Sequence, residues 1–264
     1  MALTAAERLL QDLGVSEPGE IDLEAIAYHL NARVQYKPLD GCEARIVGAG
    51  DRAIITVNNR SGWRRNRFSI AHELGHWHHH KGKRLVCRAD DYRPRDETSP
   101  ERVADGYAAD LLLPHYLFKP LARQQKRLTF KAIGELADAF AVSITATAIR
   151  LVEADLYPGI VVCHGPKGRK WFARAPMVPR KWFPQSALDA ESAAFGVQFG
   201  SQEGTSHPSK IGAGAWFDRY DADRYEVLEQ THRTGPAETL SLITITDERM
   251  LENGNTGSSR GWRK

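Results

Sequence analysis

Cysteine is scarce in this sequence of 264 residues. There are three, Cys42, Cys87 and Cys163, with no Cys-x-x-Cys spacing. An odd, scattered set excludes a disulfide framework and a cysteine-type zinc site, and it predicts reduced thiols in a cytoplasmic setting. Net charge is nearly absent as well, +3 from 36 Lys and Arg against 33 Asp and Glu. That balance excludes a general polyanion binder while leaving room for a local basic patch. No apolar run approaches the ~18 residues needed to cross a bilayer. The start, Met1 to Arg8, becomes charged too early for a secretory core, so a soluble intracellular protein with no membrane partner is expected. What remains is ordinary globular composition, 42% hydrophobic and 26% charged, in a chain long enough for one large domain or two modest ones.

Helical spacing over residues 5–13 places Leu9, Leu10 and Leu13 on one side before Gly14, and residues 21–30 repeat the pattern. Strands are expected at 33–36, 44–47 and 53–57, then a helix from Trp63 to His80. Residues 88–100, dense in charge and proline, read as a mobile loop. Four helices follow, at about 100–113, 114–125, 129–140 and 143–154. After Pro158-Gly159 the character changes to strands at 160–163, 170–175, 214–217, 225–231 and 239–246. The last stretch, from Asn253, offers nothing to bury and reads as a disordered tail.

The chemistry concentrates in Phe68-Ser69-Ile70-Ala71-His72-Glu73-Leu74-Gly75-His76-Trp77. Two histidines at i and i+4 stand on one helix face, about 6 Å apart along the axis, where both imidazoles reach one tetrahedral metal. Glu73 adjoins the first histidine and can contact the attacking water without ligating the ion. This is the His-Glu-x-x-His arrangement of zinc peptidases. By composition alone roughly 0.02 such motifs are expected in this chain, and a His-rich solvated helix end is the competing reading. His76 and His80 are also spaced i, i+4, but Trp77 then occupies the place of the base. His78, His79 and His80 read as an exposed helix end.

A third ligand is required, with a fourth position left open. On the downstream helix Glu101 and Asp105 are spaced i, i+4 behind Ser99 and Pro100, a cap and a first-turn proline. Glu101 could complete a His-His-Glu set, and Asp105 could hold the distal N–H of a ligand histidine. Spacing alone equally allows two surface acids on an amphipathic helix.

These residues resemble the ImmA/IrrE metallo-endopeptidases. The resemblance rests on Arg67-Phe68-Ser69-Ile70-Ala71-His72-Glu73-Leu74-Gly75-His76 and on Glu101-Arg102-Val103-Ala104-Asp105-Gly106-Tyr107-Ala108-Ala109-Asp110-Leu111-Leu112-Leu113-Pro114. It covers roughly residues 20 to 155. It implies His72, His76 and Glu101 as ligands of one Zn²⁺, with Mn²⁺ an alternative in cells, and Glu73 as the catalytic base. The family usually has Asn where Asp105 stands and Met where Leu113 stands. The resemblance further implies a cytoplasmic, site-specific endopeptidase whose protein substrate is a helix-turn-helix repressor, cleaved to release stress or mobile-element genes.

The fold expected is α+β: a zincin-like mixed catalytic region (1–126), a helix-turn-helix-like extension (127–157), a small C-terminal α+β domain of unassigned role (158–248) and a tail (249–264). The alternative function is a non-proteolytic, zinc-binding, DNA-binding transcriptional regulator. Against it, the second helix of the extension offers mainly Thr and Ala over residues 144–148 where base edges would call for Arg, Lys, Asn or Gln. Arg60, Arg64, Arg65 and Arg67 form a basic cluster at the start of the ligand helix, where positive charge opposes the helix dipole and local compensation is expected. Tyr92, Tyr107 and His115 are candidate oxyanion stabilisers.

Overall fold

The first thirty residues form two capped helices. α1 (Ala5–Asp12) begins at Thr4, whose hydroxyl accepts from the Glu7 amide while the Glu7 carboxylate accepts from the Thr4 amide. Asp22 caps α2 (Leu23–His29) through the Glu24 and Ala25 amides, so Ile21 lies before the helix rather than inside it. This computed structural model describes residues 2–80, 99–200 and 204–252. Cys87, Tyr92, most of the expected 88–100 loop and residues 253–264 lie outside the described residues.

The chain divides into two compact units, Met1–Gln125 with Ile133–Arg150, and Lys126–Ala132 with Leu151–Lys264. In the first, β1 (Ala32–Lys37), β2 (Ala44–Ala49) and β3 (Arg52–Asn58) form a sheet in the order β1-β3-β2, with β1 parallel and β2 antiparallel to β3. Ile46, Ile55 and Val57 alternate inward and are wholly buried. α3 (Trp63–His80) packs on this sheet. The approach is close enough that a Cβ on Gly48 would fall 2.6 Å from the Trp77 ring. Trp77 is anchored by its indole N–H, which donates to the Leu30 carbonyl at 2.8 Å.

α4 (Pro100–Leu112) lies against α3 with Ser99 as its cap. Gly75 sets their separation: a Cβ there would come within 2.9 Å of the Ala104 backbone. α5 (His115–Arg123), α6 (Phe130–Phe140) and α7 (Ile144–Glu153) follow. α6 and α7 meet at 106° across a turn in which Ala141 adopts φ 58. No single helix among the described residues is long and apolar enough to cross a membrane.

The second unit is built on β4 (Gly159–Gly165), β5 (Gly168–Arg174), β6 (Ser209–Gly212), β7 (Glu226–Gly235) and β8 (Glu238–Ile245), with α8 (Ala193–Phe199) on β7 and β8. The strand order is β5-β4-β8-β7-β6, antiparallel throughout. One face carries the core, with Ile160, Val162, Ile243, Ile245, Trp182, Trp216 and Phe217. With eight α-helices and two sheets among the described residues the class is α+β, as expected.

Three expectations change in this unit. The strand expected at 214–217 is a 3-10 turn, Ala213–Ala215, and the strand precedes it as β6. The reason is visible in the burial: Trp216 and Phe217 are adjacent and both buried, which the two-residue alternation of a half-buried strand forbids. α8 has no counterpart in the sequence reading, although Ser192 caps it through the Phe195 amide. The chain also stays packed past 248: a 3-10 turn spans Glu248–Met250, and Met250 is fully buried with its carbonyl accepting from the Trp182 indole.

Candidate metal centre

α3 supplies His72 and His76 one turn apart, and the first turn of α4 supplies Glu101. The three side chains converge on one point. His72 Nε2 lies 3.1 Å from His76 Nε2 and 3.1 Å from Glu101 Oε2, and His76 Nε2 lies 3.3 Å from Glu101 Oε1. Their offered ligand atoms all fall within 4.8 Å of one another. His72 Nδ1 faces Asp105 Oδ1 at 2.9 Å. With the Nδ1 proton donated to that carboxylate, Nε2 presents a lone pair toward the other two groups.

Two further acceptors then crowd a lone pair at hydrogen-bond distance, an arrangement that requires a proton or a cation between them. A tetrahedral ion with ligand bonds of ~2.0–2.1 Å places its ligand atoms roughly 3.3–3.4 Å apart, close to the spacing present. The His-His-Glu set therefore fits a divalent metal by both donor chemistry and dimension. It leaves one of four positions open, as catalytic rather than structural sites do.

The environment sharpens the site. Burial alone depresses the His72 pKa, but the Asp105 hydrogen bond and the charges of Asp105, Glu73 and Glu101 outweigh it, and the net shift is upward. A more basic imidazole is a stronger ligand. Glu73 is 4% exposed and sits on the same helix turn as His72. Ile70, Ala71, Leu74 and Trp77 are buried around the ligand turn, so the helix that sets the histidine spacing is held rigidly.

The other sequence candidates separate from this centre. His78 and His79 are exposed, and His78 stacks on Tyr107 with centroids 4.9 Å apart. The Tyr107 hydroxyl is buried, and burial pushes its pKa up to about 12. His115 is drawn into a different network: its Nε2 meets Arg150 at 3.0 Å, Arg150 binds Asp110 at 2.6 Å, and the His115 amide donates to Glu7. The basic cluster is largely neutralised within the first unit. Arg60 pairs with Asp40, Arg64 with Asp138 and Arg65 with Glu43, while Arg67 donates to the Ile21 carbonyl. Cys42 and Cys163 are free thiols, and burial raises the Cys163 pKa to about 11. On α7 only Glu153 is exposed.

Sequence reasoning missed Gly75 as a determinant of the site. The signal was a glycine between the two histidines, at a point where a Cβ would meet the Ala104 backbone and hold α4, with Glu101, away.

Residues 27–152 match the Peptidase_M78 family model, described as the IrrE N-terminal-like domain. Over those residues the chain is similar to that family. The matched residues include α3 and α4, and with them His72, Glu73, His76, Glu101 and Asp105. The match supports a metallopeptidase-type function and a protein as substrate. Among solved structures the chain is similar to a Mycobacterium tuberculosis transcriptional regulator, with TM-score 0.59 and 14% identity over 96% of this chain and 90% of that one. At that identity the likeness is one of fold. No curated protein matches the chain.

Proposed function

We propose that this protein is a zinc-dependent endopeptidase that cuts one partner protein at a specific bond, and that the partner is a helix-turn-helix transcriptional repressor. The observation that carries the reading is the convergence of His72 Nε2, His76 Nε2 and a Glu101 carboxylate at 3.1–3.3 Å, with the buried Glu73 on the same helix turn. His72, His76 and Glu101 hold the ion, and the nitrogen-plus-carboxylate set suits zinc.

When bound, the zinc supplies Lewis-acid polarisation of the scissile carbonyl and eases deprotonation of water near neutral pH. Glu73 accepts the proton of the attacking water and returns it to the leaving amine. Asp105 keeps His72 in one tautomer and one orientation, so the ligand turn needs no reorganisation during the reaction. The repressor as substrate is supported by the family resemblance, and a structural neighbour named as a transcriptional regulator is consistent with it.

The test is incubation of the metal-loaded chain with the repressor encoded nearest its gene, followed by intact-mass analysis. One discrete cut that disappears on chelation is the expected result. An uncut repressor together with a salt-dependent shift of duplex DNA by the protein alone would favour a DNA-binding regulator. The small exposed surface of α7 speaks against that outcome.

A further inference from the structure

In the second unit, two tight hairpins end side by side. Pro166-Lys167 joins β4 to β5 and Pro236-Ala237 joins β7 to β8. Because β4 pairs with β8, with His164 opposite Thr239, the two tips flank a groove of about 540 Å³. Its lining includes Lys167, Arg169, Lys170, Glu238 and the backbone of Gly165 and Gly168. That volume is in the range of small-molecule sites. Gly168 is required by the fold: it adopts φ +108, and a Cβ there would meet the Ser186 carbonyl at 2.8 Å.

Charge in the groove is unbalanced toward the positive. Lys170 is paired with Glu238. Arg169 has no carboxylate partner among the described residues, and its Nη1 is buried without a hydrogen bond. The guanidinium is nonetheless held in place, 4.5 Å from the Phe183 ring centroid and 5.3 Å from that of Phe172. An arginine fixed between rings with a buried, unused N–H is preorganised for an anion rather than left to solvent.

The register extends the pattern. Arg169 stands opposite His164, and His164 opposite Thr239, so one row crosses β5, β4 and β8 on the core face. His164 and Thr239 are wholly buried, and neither the His164 ring nitrogens nor Thr239 Oγ1 makes a well-formed hydrogen bond. Arg169 Nη1 and Thr239 Oγ1 thus offer donors with nothing to receive them, and the His164 ring between them faces only the Gln185 backbone. Leaving buried polar groups unmatched is unfavourable, so such a row calls for a partner.

We propose that this groove binds a small organic anion, with its carboxylate or phosphate group on Arg169 and with His164 and Thr239 in the buried row behind that arginine. The site belongs to the second unit and is independent of the metal centre.

The test is calorimetric titration of the full chain with inorganic phosphate and, separately, sodium acetate, with hydrogen exchange read at saturation. Saturable binding of at least one probe is expected, with slowed exchange over residues 164–170 and 236–239. Arg169→Gln should weaken binding on the order of tenfold, and Thr239→Val should weaken it measurably while keeping the wild-type circular dichroism. If Arg169→Gln fails to fold, the exchange map of the wild type and the Thr239→Val affinity decide. No saturable binding of either probe, undiminished affinity in the variants, or protection confined to residues 68–76 and 101–112 would overturn the proposal.

Discussion

Asp105 Oδ1 lies 2.9 Å from His72 Nδ1, one helical turn along α4 from Glu101. A single helix therefore delivers both the carboxylate proposed to bind the metal and the carboxylate that orients the His72 imidazole. Asp105→Ala should leave the fold intact and lower metal affinity by roughly 10–100-fold, measured by competition with a chromophoric chelator. Affinity equal to wild type would mean that helix packing alone orients His72.

Glu101 differs from Asp105 in touching both histidines, at 3.1 and 3.3 Å. Glu101→Ala should therefore remove the ion at metal concentrations that saturate wild type, read as metal per chain by plasma mass spectrometry. One equivalent retained after dialysis would place the third ligand elsewhere.

Gly75 tests the same geometry at the contact between α3 and α4. A methyl group there meets the Ala104 Cα and carbonyl oxygen at 2.9 Å, and backbone cannot rotate aside. Gly75→Ala should cost about 1–3 kcal/mol in urea unfolding and weaken metal binding by displacing Glu101. A variant with wild-type stability and affinity would show that α3 and α4 have slack the structure does not display.

His164 gives a pH dependence outside the metal centre. Burial pushes its pKa from 6.5 down to about 4; the Arg169 charge adds to this and the Gln185 backbone facing the ring opposes it. The folded protein thus keeps the ring neutral, while the unfolded chain takes up a proton below about pH 6.5. Its contribution is present above pH 6.5 and is lost as pH falls toward 4, up to about 3 kcal/mol in all. Urea unfolding of wild type and His164→Gln in phosphate-free buffer should diverge across that window, with the steeper loss in wild type. Parallel curves would mean that the ring is solvated.

Much of this was legible in the chain itself. His72, Glu73 and His76 announce themselves because an i, i+4 pair with an intervening acid serves one geometry, and Ser99-Pro100 marks the helix that brings Glu101 in. α3, α4 and the three strands of the first unit follow from periodicity and caps that agree with one another. The second unit was harder to read for a physical reason. Trp216 and Phe217 are buried in succession in a turn, so apolar content there marks a packed loop rather than a strand. The contact between Gly75 and Ala104 and the Arg169–His164–Thr239 row arise from pairing between distant segments, which no local pattern encodes.

The central claim is that Glu73 moves protons at a site where His72, His76 and Glu101 hold the ion. Wild type and Glu73→Gln, each brought to one bound zinc per chain, should be compared for repressor cleavage by intact mass over the same time course. Equal metal content, the same fold and one discrete product pair from wild type alone are expected. Cleavage by Glu73→Gln at a rate near wild type would contradict that claim.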